Sequence, residues 1–451
     1  MTRGSLFRNI CASALLVSLL TACGGGGGGG SSGEKPVFGP APGDTVFQTK
    51  QFGTSANDVG YGIATDSNGN VYVTGSTGGN LGNANAGSED IFITKYNSQG
   101  TKLWTRQIGT TDSDNGNRVT VDINDNVYIV GSTRGSLDGN TYAGEEDIFI
   151  IKYDSDGNKI WTRQAGTTTN DVGTGIATDR SGNIYITGFT FGGINGNTNA
   201  GTDDTFIIKY DANGIEQWTR QIGTPANDTA YGIATDIAGN VYVTGQTGGN
   251  FDGNTNHGGD DIFVVKYNSG GNKQWAVLLG SPFAAPPGFD TGTGIATDSN
   301  GNIYITGYTN GGLDGNVSTG DNDLVVVKLD AGGANQWTRQ LGTTRSEFPT
   351  SIAIDSNNNI YVTGATDDAL DGNANAGDFD LFVVKYTSNG DKQWVRQLGT
   401  TAFDMAWDIT TDQNGNAYVT GFTNGNLAGT NAGSSTSDAF IIKYDSNGVK
   451  Q

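Results

Sequence analysis

Acidic residues recur at fixed places in this chain. Acids in register do two kinds of chemistry: they pass protons and they bind cations. One set follows a repeated Gly-Thr or Gly-Ser pair: Asp58, Asp114, Asp171, Asp228, Asp290, Glu347 and Asp404. A second set precedes a run of apolar residues: Asp90, Asp147, Asp204, Asp261, Asp323, Asp380 and Asp438. Upstream of the second set lies a loop such as Asp252-Gly253-Asn254-Thr255-Asn256, ending at Asp260-Asp261, with related copies starting at Asp138, Asp314 and Asp371. Asn195 replaces the leading acid in the third copy. Carboxylates and amide oxygens at alternate positions beside glycines suit a hard cation, which takes six to eight oxygen ligands. Calcium is the cofactor such loops would take, with Asp138, Asp147, Asp252, Asn254, Asn256, Asp260, Asp314 and Asp371 as ligands. The competing reading is that Asp and Asn hold turns by bonding their own backbone.

Other chemistries lack their residues. His257 is the single histidine, which excludes histidine-based triads and histidine-rich transition-metal sites. The two cysteines, Cys11 and Cys23, both lie near the N-terminus. Carboxylate pairs can hydrolyse glycosides, but the acids here repeat equally, whereas a catalytic site should break the symmetry. The expectation from the sequence is therefore that the chain is not an enzyme.

The acids are placed by a repeat. A VYVTG-like phrase sets a tyrosine at Tyr72, Tyr128, Tyr185, Tyr242, Tyr304, Tyr361 and Tyr418, about 57 residues apart. A period of this length marks a solenoid or a propeller. Each copy holds four short runs rich in Val, Ile, Thr, Tyr, Phe and Trp, two pairs of which are joined by Asn/Asp-Gly turns. Each is thus a four-stranded antiparallel meander, with its long loops on the face opposite the tight hairpins. The third run (DIFIIKY, DIFVVKY) is apolar on both faces and needs cover on both. Face-to-face stacking around an axis supplies it. The last copy stops before its fourth strand, and Lys50-Gln51-Phe52-Gly53-Thr54 matches Arg106-Gln107-Ile108-Gly109-Thr110. The predicted fold is all-β: a seven-bladed propeller over residues 46–451, with residues 46–52 pairing with 438–444 to complete the last blade. Trp104, Trp161, Trp218, Trp275, Trp337 and Trp394 are read as packing between blades. The third-strand lysines (Lys95, Lys152, Lys209, Lys266, Lys328, Lys385 and Lys443) are predicted to form a salt bridge to an Asp in each blade. An insertion, Ser281-Pro282-Phe283-Ala284-Ala285-Pro286-Pro287, marks the crossing before the fifth blade.

The first residues describe an address. Arg3, Arg8 and an apolar stretch over residues 10–20 read as a secretory leader. It ends at Leu20-Thr21-Ala22-Cys23, which resembles the bacterial lipobox. The resemblance implies a signal peptide over 1–22, lipid on Cys23, and a Gly/Ser/Pro-rich tether over 23–45. It also implies export to the outer membrane or cell surface. Removing Arg3 and Arg8 takes the formal charge from −21 to −23. Nucleic acid is an unfavourable partner for such a charge.

GIATDSNGNVYVTGST followed by DIFITKYNSQGTKLWTRQIGT resembles the bacterial SBBP-type β-propeller repeat, over residues 46–451. The resemblance implies an exported or surface protein and supplies no catalytic residues. The turn from Asp154 to Trp161 is similar to motifs of quinoprotein dehydrogenase propellers and of the propeller lipoprotein of outer-membrane assembly. Ser67 to Tyr72 is similar to an Asp-box turn. The functional expectation is a monomeric, lipid-anchored binding or scaffolding module for an envelope protein or glycan, docking on the acidic long-loop face. A carbohydrate-active or quinone-dependent enzyme and a surface-coat protein are the alternatives.

Overall fold

The computed structural model describes residues 47–281, 288–433 and 436–451. Cys23, the leader and the tether lie outside them, as do Pro282 to Pro287 of the insertion. The chain from Phe47 to Gln451 is one compact unit. Among the described residues no helix is long and apolar enough to cross a membrane.

Seven four-stranded antiparallel sheets form the ring. The first blade shows the plan: Asp58–Thr65 nearest the axis, then Val71–Thr77, Asp90–Tyr96 and Lys102–Ile108 at the rim. The second and third strands are buried along their whole length in this blade, as the two-sided apolar run requires. In every blade the tyrosine of the VYVTG phrase donates its hydroxyl to the Asp six residues earlier, as Tyr72 does to Asp66 at 3.0 Å. That Asp also accepts the Asn68 and Asn70 N–H groups and so holds the first hairpin.

The closing strand is present. Lys50–Phe52 pairs with Ala439–Ile441, and Asp404–Thr411, Ala417–Thr423 and Asp438–Tyr444 complete the sheet. Gln51 donates to Asp438 at 3.0 Å, as Gln107 does to Asp90. The place taken by a Trp elsewhere is filled by Phe47, whose ring meets Tyr418 edge-on at 5.4 Å.

The rim tryptophans lock neighbouring blades. Trp104 donates Nε1 to Ser155 O of the next blade at 3.3 Å. Gly157, at φ 79°, packs on its indole where a Cβ would collide. Arg106 lies over the same indole, 5.1 Å from its centre, and gives Nε to Gly157 O at 2.8 Å. Arg163, Arg220, Arg339 and Arg396 repeat this latch. The lysines differ from expectation. Lys95 lies 3.7 Å from Asp66 and gives Nζ to Ser155 O of the next blade at 2.9 Å. Lys152, Lys209, Lys266, Lys328 and Lys385 likewise give Nζ to main-chain carbonyls of the next blade at 2.8–3.1 Å. All seven stand 4.9–5.3 Å over the blade's tyrosine ring. A carbonyl and an aromatic face hold the partly buried ammonium at contact distance, while the hairpin Asp of the same blade acts on it from further off, as Asp122 does on Lys152.

Candidate functional site on the propeller axis

The first strands line the axis, and their sequences are where the repeat breaks. A bulge follows the third residue of each and leaves Tyr61, Asn117, Thr174, Tyr231, Thr293, Thr350 and Trp407 out of register. The next position is Gly62, Gly175, Gly232 and Gly294 in four blades. A Cβ on Gly62 would come within 2.9 Å of the Arg118 backbone, so neighbouring strands approach too closely for most side chains. The other three blades carry Arg118, Ser351 and Asp408 there. They face a cavity of about 180 Å³ whose remaining wall is largely Ile63, Val119, Ile176, Ile233, Ile295, Ile352 and Ile409.

Ser351 and Asp408 are bonded to each other across the sixth and seventh blades, and both Asp408 and Arg118, the latter in the second blade, bond the main chain of the first blade between them. Ser351 donates Oγ to Asp408 Oδ1 at 2.6 Å. Asp408 Oδ2 accepts the Ile63 N–H at 2.9 Å, and Oδ1 accepts the Ile409 N–H at 3.0 Å. Arg118 Nη1 donates to Tyr61 O at 2.9 Å and Asn117 O at 3.0 Å. Burial raises the Asp408 carboxyl above its ordinary range, and the Arg118 charge opposes the rise. Tyr61 and Trp407 stack edge-on, ring centres 5.7 Å apart. The arrangement places a cation, a carboxylate and a hydroxyl at a cavity whose exposed surface is mostly polar, with Tyr231 among its lining residues.

The acids singled out from the sequence lie elsewhere, and the structure pairs the two sets. Asp58, Asp114, Asp171, Asp228, Asp290, Glu347 and Asp404 are fully buried, which corrects their reading as an acidic docking ring. Asp114 Oδ2 accepts the Thr110 N–H at 2.5 Å and its hydroxyl at 3.0 Å, while Oδ1 accepts from Thr133. Buried main-chain and hydroxyl donors explain why the acid faces inward. Asp90 stands beside it: a Cβ on Gly109 would run into Asp90 Oδ1, with Asp114 Oδ2 only 3.0 Å away. Asp90 Oδ2 accepts from Ala86 N and Gln107 Nε2. The pair recurs at every blade junction, as Asp438 with Asp58 and Asp323 with Glu347. Burial, helped by the neighbouring acid, raises Asp228 to about 6 and Glu347 to about 7.

The residues proposed as calcium ligands are not gathered around one point. Asp138, Asp252 and Asp371 face Lys159, Lys273 and Lys392. Asp314 accepts from Asn335 at 2.6 Å. Asp147 accepts from Ala143 N and Gln164. Asn254 and Asn256 direct their amide NH2 groups at carbonyls, and Asp260 gives its own carbonyl to Asp290 N. Among the described residues no three acid, histidine or cysteine side chains converge. The leading Asp or Asn has φ near +50°, which suits these residue types in a tight turn.

The family described as SBBP, beta-propeller repeat, matches residues 49–83, 103–138, 160–195, 217–252, 274–314, 336–370 and 393–428. The chain belongs to the SBBP β-propeller repeat family. Among curated proteins, an uncharacterised WD repeat-containing protein, L264, of Acanthamoeba polyphaga mimivirus is 24% identical over 76% of this chain and 33% of its own length. The regulatory protein FlaEY of Caulobacter vibrioides is 28% identical over 55% of this chain and 29% of its own. The SBBP chain thus spans about a third of each. Similar solved structures include the polysaccharide lyase Uly1 (11% identity, TM-score 0.48, 90% of this chain and 94% of that one). A PL25 ulvan lyase is similar at 13% identity and TM-score 0.47, over 88% and 96%. The expectation that the chain is not an enzyme is withdrawn, since chains similar to it include polysaccharide lyases. The likeness assigns no reaction to this chain.

Proposed function

We propose that this SBBP propeller is a binding module of the cell envelope, exported and tethered through Cys23, which engages an envelope protein or glycan at its axis. One observation carries the reading: the repeat gives way at the axial position, and there it places Arg118, Ser351 and Asp408 around a cavity. Packing alone is satisfied by Gly at this position, as four blades demonstrate. Asp408 and Arg118 each make an inter-blade bond, but four blades close without any side chain at this position; keeping charge at the axis is costly, and binding is the use that supports it. The lipobox-like Leu20-Thr21-Ala22-Cys23 supports the address.

The test uses the full-length chain extracted in detergent. Wild type and the Arg118→Gly/Ser351→Gly/Asp408→Gly variant are compared for capture of envelope proteins and glycans. A species retained by the wild type and reduced at least tenfold by the variant is expected. Equal capture by both removes the axis from binding. Membrane fractionation of Cys23→Ser tests the tether, with release from the membrane as the expected result.

A further inference from the structure

We infer that the axial cavity holds a carboxylate, gripped by the free edge of the Arg118 guanidinium. The inference rests on the axis being the binding site and adds the chemistry of what is bound. A guanidinium has five donors in a planar fork that matches a carboxylate with two parallel bonds. Only Nη1 of Arg118 has a protein partner among the described residues, in Tyr61 O and Asn117 O. Nε and Nη2 remain for a ligand in the cavity that the side chain lines.

The nearest acid does not fill this role. Asp408 already takes Ser351, Ile409 N and Ile63 N, and among the described residues no ion pair joins it to Arg118. Asp408 offsets the Arg118 charge from a distance, so an added carboxylate is held by the open Nε and Nη2 donors and not by net charge. Ile63, Val119, Ile176, Ile233, Ile295 and Ile352 line the cavity, but most of the surface exposed to it is polar, so the grip on a carboxylate rests on the guanidinium's directed donors. About 180 Å³ accommodates a carboxylate with a few attached heavy atoms, while larger groups extend along the axis. The carboxylate arrives either on a free small acid or on an acidic sugar of a glycan chain.

Acetate and glucuronate are the two probes, titrated into the full-length chain in detergent and followed by calorimetry, with glucose as the uncharged control. Saturable binding of either acid is expected in the millimolar range or tighter. Arg118→Gly should weaken it at least tenfold and Arg118→Lys, which keeps the charge and loses the fork, by an intermediate factor. Equal affinities for the two acids assign a free small carboxylate. At least tenfold preference for glucuronate assigns a sugar acid. Absence of saturation by either acid at 50-fold excess over the protein at millimolar concentration, or binding unchanged in Arg118→Gly, overturns the inference. Arg118→Gly places at this position the residue that four blades carry, and its melting temperature serves as the folding control. The outcome is separable from the binding-module reading: capture that depends on the axis can persist without acetate or glucuronate binding, and the acids can bind where capture is unchanged.

Discussion

Asp408 accepts the Ile63 N–H at 2.9 Å across the seam where the two ends of the chain meet, 345 residues apart in sequence. Ser351 Oγ holds the other oxygen of the same carboxylate. One side chain therefore joins the sixth, seventh and first blades at the axis. Removing it strands a buried main-chain donor, which costs about 1–3 kcal/mol. Asp408→Ala is expected to lower unfolding stability by about 2 kcal/mol, and Ser351→Ala by about 1 kcal/mol. Urea denaturation of the two variants measures both, and a smaller loss for Asp408→Ala than for Ser351→Ala contradicts this account.

The rim of the same seam depends on Phe47. It is buried, meets Tyr418 edge-on at 5.4 Å, and packs against Gly100 of the first blade as Trp104 packs against Gly157. Only three residues of the closing strand, Lys50–Phe52, pair with the last blade. Phe47→Ala should cost about 3–5 kcal/mol. Hydrogen exchange should accelerate first in Lys50–Phe52 and Ala439–Ile441, before the other six blades change. Uniform acceleration around the ring would show that the seam is no weaker than other junctions.

The paired acids set the pH dependence. Glu347 is raised from 4.5 to about 7 and Asp228 from 3.8 to about 6, chiefly by burial. Between the unfolded and folded values the native state binds more protons than the unfolded one, so stability falls as pH rises through this window. Below the unfolded values the contribution is fully present, and above about 7 it is gone. The scale is on the order of 3 kcal/mol per group. The melting temperature should therefore be higher at pH 5 than at pH 8, and Glu347→Gln should flatten the slope between pH 5 and 7. An unchanged slope in Glu347→Gln and Asp228→Asn assigns the dependence to overall charge repulsion instead.

The glycine between each acid pair is equally constrained. A Cβ on Gly109 would strike the Asp90 carboxylate, with Asp114 beside it. Gly109→Ala should destabilise by more than 2 kcal/mol, in the range of overpacked cores. Gly139→Ala is the contrast: its Cβ would meet nothing, and the cost should reflect only the backbone at φ 74°. Thermal melts of the two variants decide, and similar losses would refute the steric reading.

The ring was legible because periodicity carries it. The phase of Tyr72 and its six copies, and the match of Lys50–Phe52 to Arg106–Ile108, need only the letters of the sequence. The site at the axis was not legible in the same way. Its signal is a column of the first strand, Gly-Arg-Gly-Gly-Gly-Ser-Asp, and it appears only once DNGNRVTV, EFPTSIAI and DMAWDITT are aligned on their bulges. Asp58 and Asp114 were misread as surface acids because their donors are the Thr54 and Thr110 main-chain and hydroxyl groups. Main-chain acceptors likewise carry no letter, so the lysines were assigned carboxylates where Ala212 O and Ser269 O serve.

The rim latch has one gap that a substitution can fill. Arg106 Nε reaches Gly157 O of the following blade, and four other blades repeat the contact at 2.7–2.8 Å. The fourth blade carries Val277 at this position, although Trp275 is present and Gly333 packs on its indole. Val277→Arg would lay a guanidinium over Trp275 with its Nε toward Gly333 O. A hydrogen bond from a charged donor contributes about 1.5–3 kcal/mol, and the lost aliphatic burial offsets part of it. A net gain of about 1 kcal/mol is expected, seen as a higher urea midpoint with an unchanged slope. A loss of stability would mean that the packing of Val277 against the neighbouring apolar cluster outweighs the latch.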